Sequence, residues 1–207
     1  MKKIFVFTLL AMFYFTTNIF ALTLGHEVTD RNNVDSWQHF TMIDKSLKFD
    51  TDGYITGWDI FAKQKGSNTF SSTDIYFQTF QLIDSSIDRY QLNNSYLYNV
   101  ESDGENNVSL LSNEYMYFKK DAYIGWTFNI PTIPYTQNVG NVDWPINENN
   151  KVVNVGETFQ FGGTGGARTY SISAEYQPVP EPTTMLLFGT GLLGLVGFGR
   201  KKFFKRS

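Results

Sequence analysis

The 207-residue chain carries 17 Lys and Arg against 20 Asp and Glu, a formal net charge of −3, and contains no cysteine. Seven of those bases lie in the two ends and a single acid, Glu181, lies beyond Pro178, which leaves Leu22 to Pro178 near −9. An acidic body of this kind repels phosphate backbones and argues against nucleic acid as a partner, while the missing thiols exclude disulfides, Cys-type zinc sites, a thiolate nucleophile and a lipid-bearing cysteine.

In chain order, Lys2-Lys3 precedes an apolar run from Ile4 to Phe15, then the more polar Thr16-Thr17-Asn18 and Ile19-Phe20-Ala21. That order of basic, apolar and small-residue regions predicts a secretory signal peptide over 1–21, with Ala21 as the last residue removed. The apolar run is too short for a comfortable span. The Sec translocon and signal peptidase are the partners this segment implies.

The body, 22–176, has the size and the aromatic content, 17% of the chain, of one domain with its own core. Alternation of period two predicts strands around Leu47 to Phe49, Ile55 to Phe61, Ile75 to Ile83, Tyr96 to Val100, Tyr115 to Phe118, Ala122 to Asn129, Val152 to Phe161 and Thr169 to Tyr176. Turn signals fall at Asp52-Gly53, Lys65 to Asn68, Asp103 to Asn107 and Gly162 to Gly166. No stretch of ten or more residues holds a helical period. Short strands at this spacing predict a mainly β fold, an antiparallel β-sandwich of jelly-roll-like type. The order of Gly57-Trp58-Asp59, Phe80 to Ile83 and Lys120-Asp121-Ala122-Tyr123-Ile124-Gly125-Trp126 resembles an extracellular β-sandwich module in which a Gly-Asp turn leads into an Ile-Gly-aromatic strand. Lys120 stands here where that glycine would be.

Several side chains invite a chemical role. Asp50, Asp52 and Asp59 around Gly53 form a partial calcium-loop pattern, but Lys48 occupies the first ligand position, and solvated acids flanking an Asp-Gly hairpin turn explain the same residues. Trp58 and Trp126, embedded in apolar alternation, are expected in the core. Trp144, between Asp143 and Pro145 in an Asn-rich loop, is the better candidate for an exposed carbohydrate contact, although aromatics at alternating strand positions are more often core or cross-strand pairs. His26 follows the cleavage position closely enough to fall in a loose segment, and His39 is expected to pack beside Trp37 and Phe40. Neither histidine sits in a metal or triad pattern, no nucleophile-elbow, zincin or phosphate-loop sequence occurs, and Gly162 to Gly166 reads as a hairpin tip. No cofactor and no catalytic residue are expected.

Gln177-Pro-Val-Pro-Glu-Pro182 places a proline at every second position, which pushes Val179 and Glu181 toward extended geometry and predicts a stiff, unpaired linker over 177–184. An uncharged run follows and predicts a transmembrane helix over 185–199, and a basic tail over 200–207 closes the sequence. Thr183 to Gly199 makes about 26 Å of helix at ~1.5 Å per residue, slightly short of a ~30 Å hydrocarbon core but able to span with local thinning. Arg200, Lys201 and Lys202 hold that end in the cytoplasm and put the acidic body outside.

Pro180-Glu181-Pro182, the apolar run and the Arg200-Lys201-Lys202 cluster in this order closely resemble the PEP-CTERM sorting signal. The resemblance covers about the last thirty residues. It implies that exosortase, a membrane transpeptidase, recognises Pro180, Glu181 and Pro182 and processes the chain nearby, and that the protein is exported across an inner membrane to the cell surface or an extracellular polysaccharide matrix. The expected role is that of a non-enzymatic surface or matrix protein. The alternatives are a carbohydrate-binding module and, behind it, a secreted glycan-active enzyme.

Overall fold

The computed structural model describes residues 21–36, 38–64, 71–146, 154–164, 166–180 and Gly189. The predicted signal peptide before Ala21, the motif residues Glu181 and Pro182, the basic tail, Trp37, the turn at Lys65 to Asn68 and, apart from Gly189, the apolar run lie outside the described residues.

From Ala21 to Pro180 the described elements are strands: β1 Leu22–Gly25, β2 Phe40–Lys48, β3 Gly53–Ala62, β4 Thr73–Asp84, β5 Arg89–Val100, β6 Gly104–Ser109, β7 Met116–Phe118, β8 Ala122–Phe128, β9 Tyr135–Gln137, β10 Val142–Pro145, β11 Thr158–Thr164, β12 Arg168–Tyr170 and β13 Ile172–Pro178. Every pairing is antiparallel. One layer has the order β1-β13-β3-β6, with β7 continuing the β6 edge by pairing the first residues of β3. The second layer runs β10-β11-β5-β4-β8-β2 and closes on itself as a barrel, because β10 pairs both β11 and β2. A short β9–β12 pair stands beside them.

The mainly β, antiparallel expectation holds, and two layers pack face to face. The closed layer departs from the two open sheets of a jelly roll. Bulges explain the closure: the β4–β5 ladder shifts register at Thr79/Phe80 and Leu82/Asp84, the β10–β11 ladder at Trp144/Pro145 and the β2–β8 ladder between Ile43 and Lys48. Each bulge bends and twists its strand, which is how a flat sheet is brought round on itself.

The core divides accordingly. Between the layers, Trp58 of β3 stacks on Phe77 of β4 at 4.9 Å, and Trp126, Ile124 and Phe128 of β8 face the same space. Trp58 and Trp126 are fully buried, as expected. Inside the barrel a second cluster forms from Ile43, Phe80, Tyr90, Leu92 and Phe161. Alongside it three fully buried polar side chains satisfy one another: Thr41 and Thr127 share a 2.6 Å hydrogen bond, and Thr127 donates to Gln78 at 2.9 Å.

Burial on two faces also explains the sequence's blind spots. The first five residues of β2 are all buried, one set toward the sandwich and the other toward the barrel interior, so no alternation survives to mark the strand before Leu47. The turn expected over Asp103 to Asn107 is corrected: Gly104, with φ 93°, opens β6, whose remaining residues pair β3. Gly162 to Thr164 likewise lies within β11, where Gly163 and Thr164 pair β10 and Gly162 sits at the bulge, so these glycines belong to a strand.

Candidate functional site

Two places on this frame carry chemistry beyond packing: the exit of β13 toward the carboxy terminus, and a cleft at β10 and β12.

β13 lies between β1 and β3 and is paired on both sides. Its odd-numbered residues turn their main-chain groups toward β3: Phe61 N–H donates to Ser171 O at 3.1 Å and Val179 N–H to Asp52 O at 2.8 Å. Even-numbered residues face β1, where His26 N–H donates to Ile172 O at 2.9 Å. The β1 pairing begins at Leu22, opposite Tyr176, so Pro178 and Pro180 fall beyond it. Proline lacks the N–H that would recruit another strand to that uncovered edge, so the alternate prolines blunt the edge and leave Val179 free to bond β3. The expectation of an unpaired linker from Gln177 is therefore corrected. Gln177 pairs Tyr54, Pro178 pairs Gly53, and main-chain bonding runs through Val179, one residue before Pro180.

Asp52 anchors this exit. The Asp50–Asp52 bend carries the chain from β2 in the barrel layer to β3 in the other, so Asp52-Gly53 forms a corner between sheets and not the expected hairpin. The Asp52 carboxylate accepts the Lys120 N–H at 2.8 Å and the Tyr117 hydroxyl at 3.0 Å, bonds that hold its pKa below the usual carboxylate range. Asp59 sits far along β3, roughly 20 Å from Gly53 at ~3.3 Å per residue, and accepts a 2.6 Å bond from Asn107. The three acids of the calcium pattern do not converge, and among the described residues no group of His, Cys, Asp or Glu is arranged to hold a metal. Asp121, in the left-handed region at φ 65°, takes the turn into β8 and pairs with Lys48 at 2.8 Å.

The cleft, of about 180 Å³, is lined by Asp35, Phe40, Met42, Tyr135, Trp144 and Arg168, together with Val34 and Ser36. Trp144 is half-buried in β10, not in a loop as expected, and its indole lies flat against the β11 backbone, since a Cβ on Gly163 would come within 2.1 Å of Nε1. Phe40 meets the ring edge-on at 5.4 Å. The Arg168 guanidinium sits 4.6 Å from the Tyr135 ring centroid and 5.9 Å from that of Trp144. Its Nη1 donates to Asp35 at 2.7 Å and to the Tyr170 hydroxyl at 3.2 Å, and Tyr170 itself donates to the other Asp35 oxygen. Arg168 Nε is buried and donates to no acceptor among the described residues. A cleft of this size is smaller than the ~300–1,000 Å³ of pockets that engulf a ligand, and it suits one ring of a longer molecule. Only Trp144 pointed here from the sequence; Arg168 and Asp35 are 133 positions apart and no local pattern joins them.

The histidines correct their expectations. His26 is held in place, Nε2 lying 2.9 Å from the buried Asp44 carboxylate, which also accepts the Ser46 N–H at 2.9 Å. His39 is exposed with φ 53°, its Nδ1 3.4 Å from Asn129 Oδ1.

Among the described residues no helix is long and apolar enough to cross a membrane; the run from Met185 lies outside them except for Gly189. Residues 178–201 match the model of the PEP-CTERM protein-sorting motif. Neither a curated protein nor a solved structure matches the chain.

Proposed function

We propose that the chain, which matches the PEP-CTERM protein-sorting motif over residues 178–201, is exported as a membrane-anchored precursor processed by exosortase, and that its mature form is a non-enzymatic component of the cell surface or extracellular matrix. The observation that carries this reading is the junction: β13 is bonded through Val179, and the motif residues Pro180, Glu181 and Pro182 follow at once. The β body is then the cargo and the tail its address. In this reading the Sec route delivers the chain, signal peptidase cuts after Ala21, one span over 185–199 holds the precursor with the body outside, and Arg200, Lys201 and Lys202 stay in the cytoplasm. Support for a role without catalysis comes from the buried acids, which are committed to partners: Asp35 to Arg168, Asp44 to His26 and Asp143 to Lys45 at 2.5 Å.

The test is the mass of the protein recovered from its native host, with and without exosortase. The expected result is a mature form lacking the signal peptide and the residues beyond the motif, replaced by a longer form when the enzyme is deleted. A chain that keeps Thr183 to Ser207 in both strains sinks the processing claim.

A second reading, carbohydrate binding, is favoured by the cleft. A half-buried tryptophan braced by backbone, with a guanidinium beside it, suits a sugar ring that offers an apolar face and oxygen acceptors. Binding on a glycan array that is lost in Trp144→Ala while the variant still melts cooperatively well above the assay temperature would support it; unchanged binding would overturn it.

A further inference from the structure

Resting on the reading of the tail as a membrane span, we propose that the end of the sandwich from which both chain termini leave is a membrane-facing base, seated on lipid head groups through Tyr54, Tyr117, Lys119 and Lys120. Leu22 pairs Tyr176, and the two strands are antiparallel, so Ala21 and the Pro178–Pro180 exit leave the fold side by side. Adjacent strands lie ~4.8 Å apart, so a signal peptide and a carboxy-terminal span would enter the bilayer next to each other. Five residues, Pro180 to Thr184, separate Val179 from Met185. Fully extended they reach about 17 Å, of which the head-group layer takes about 5–8 Å. The base is thereby kept within roughly 10 Å of the lipid surface.

The residues found there suit that position. Gly53 pairs both Pro178 and Phe118, and Lys120 N–H bonds Asp52, so the β2–β3 corner and the turn after β7 share this end. Tyr54 and Tyr117 are each 41% exposed, with rings 5.2 Å apart, and Lys119 and Lys120 are exposed beside them. Tyrosine favours the head-group layer, and lysine favours anionic phosphates. Asp52 is occupied by Tyr117 and Lys120, and Asp121 by Lys48. Three lysines here stand against Asp50, Asp52 and Asp121, so the charge of −9 resides on the rest of the body. An anionic surface therefore repels the rest of the body, taken as a whole, more strongly than this end.

The cysteine-free sequence allows clean labelling. Leu22→Cys marks the base, and Glu105→Cys marks the far end of the same sheet, opposite Phe61 and about 26 Å from Gly53 along β3. Each full-length chain, with the signal peptide removed, carries a fluorophore and is reconstituted into vesicles containing anionic lipid with head-group nitroxide quenchers. The expected result is several-fold stronger quenching at position 22 than at 105, falling when Lys119→Glu and Lys120→Glu are combined. Equal quenching at the two positions overturns the base, and quenching unmoved by the double charge reversal overturns the lysine contact. Alkaline extraction separates the two failures: a chain that washes off defeats the span and the base with it, whereas one that stays inserted with position 22 unquenched defeats the base alone.

Discussion

Tyr170 and Asp35, 135 positions apart in sequence, meet in a buried hydrogen bond of 2.5 Å that ties Asp35 of the cleft lining to the core behind it. Burial, and next to it the Asp35 carboxylate, push the Tyr170 hydroxyl well above its ordinary pKa, so the neutral phenol is the form the fold holds.

Tyr170→Phe removes a bond to a charged acceptor and is expected to cost about 1.5–3 kcal/mol at neutral pH. The raised value fixes the pH dependence. The native state keeps its proton to higher pH than the unfolded chain, so this stabilisation is complete below about pH 10 and is lost as pH rises toward the native value. Urea melts of both proteins at pH 7 and at pH 11 should show the gap narrowing. A gap that is constant across that range would mean that ionisation of Tyr170 plays no part.

Gly163→Ala tests how the cleft is built. The added Cβ would lie 2.1 Å from Trp144 Nε1 and 2.3 Å from Cδ1, a clash that the strand backbone cannot relieve without moving the indole. Overpacking of this kind costs about 1–3 kcal/mol. The expected result is a lower melting temperature with an altered near-ultraviolet circular dichroism band. An unchanged band would show that the ring does not rest on that backbone.

The tryptophans should divide sharply. Trp58 is fully buried and stacks on Phe77 with an interplanar angle of 8°, so Trp58→Ala is expected to cost about 3–5 kcal/mol, a large part of the ~5–15 kcal/mol stability of a typical domain. Trp144→Ala, at a half-buried site, should cost less than half as much. Thermal melts of the two variants decide the matter, and equal losses would contradict the placement of Trp144 at the wall of a cleft.

What could be read from the sequence followed from local physics. Ile55 to Phe61 alternates because β3 has one apolar side facing the sandwich, and Trp58 and Trp126 are core for the same reason; in β4, Ile75 and Phe77 face that space, while Phe80 and Leu82, past the bulge, turn to the barrel interior and keep a period of two on the other face. The tail was legible because proline spacing, hydropathy and charge are local properties. The start of β2 was hidden because its residues are buried on both faces, and the barrel closure was hidden because bulges carry no signature in composition. The cleft depends on Arg168 meeting Asp35 across the fold, of which Trp144 was the one visible trace. Asp52-Gly53 misled for a related reason: the pair marks a sharp change of direction, and only tertiary pairing decides whether that change closes a hairpin or turns a corner between two sheets.

That corner supplies the last prediction. Asp52 accepts the Lys120 main-chain N–H first and the Tyr117 hydroxyl second, and both bonds favour its charged form. With the native pKa depressed, the stabilisation is complete above the unfolded value of about 3.9 and is lost as pH falls through the native one. Asp52→Asn keeps the shape but removes the charge, so it should lower stability at pH 7 and approach wild type in strong acid. Tyr117, whose pKa the same bond raises, should show the reciprocal effect: in Tyr117→Phe, the added loss from Asp52→Asn shrinks, because one of the two bonds is already gone. Urea midpoints for the four proteins of this double-mutant cycle, at pH 7 and pH 2.5, provide the check. Strict additivity at pH 7 would show that Asp52 and Tyr117 do not hold the corner together.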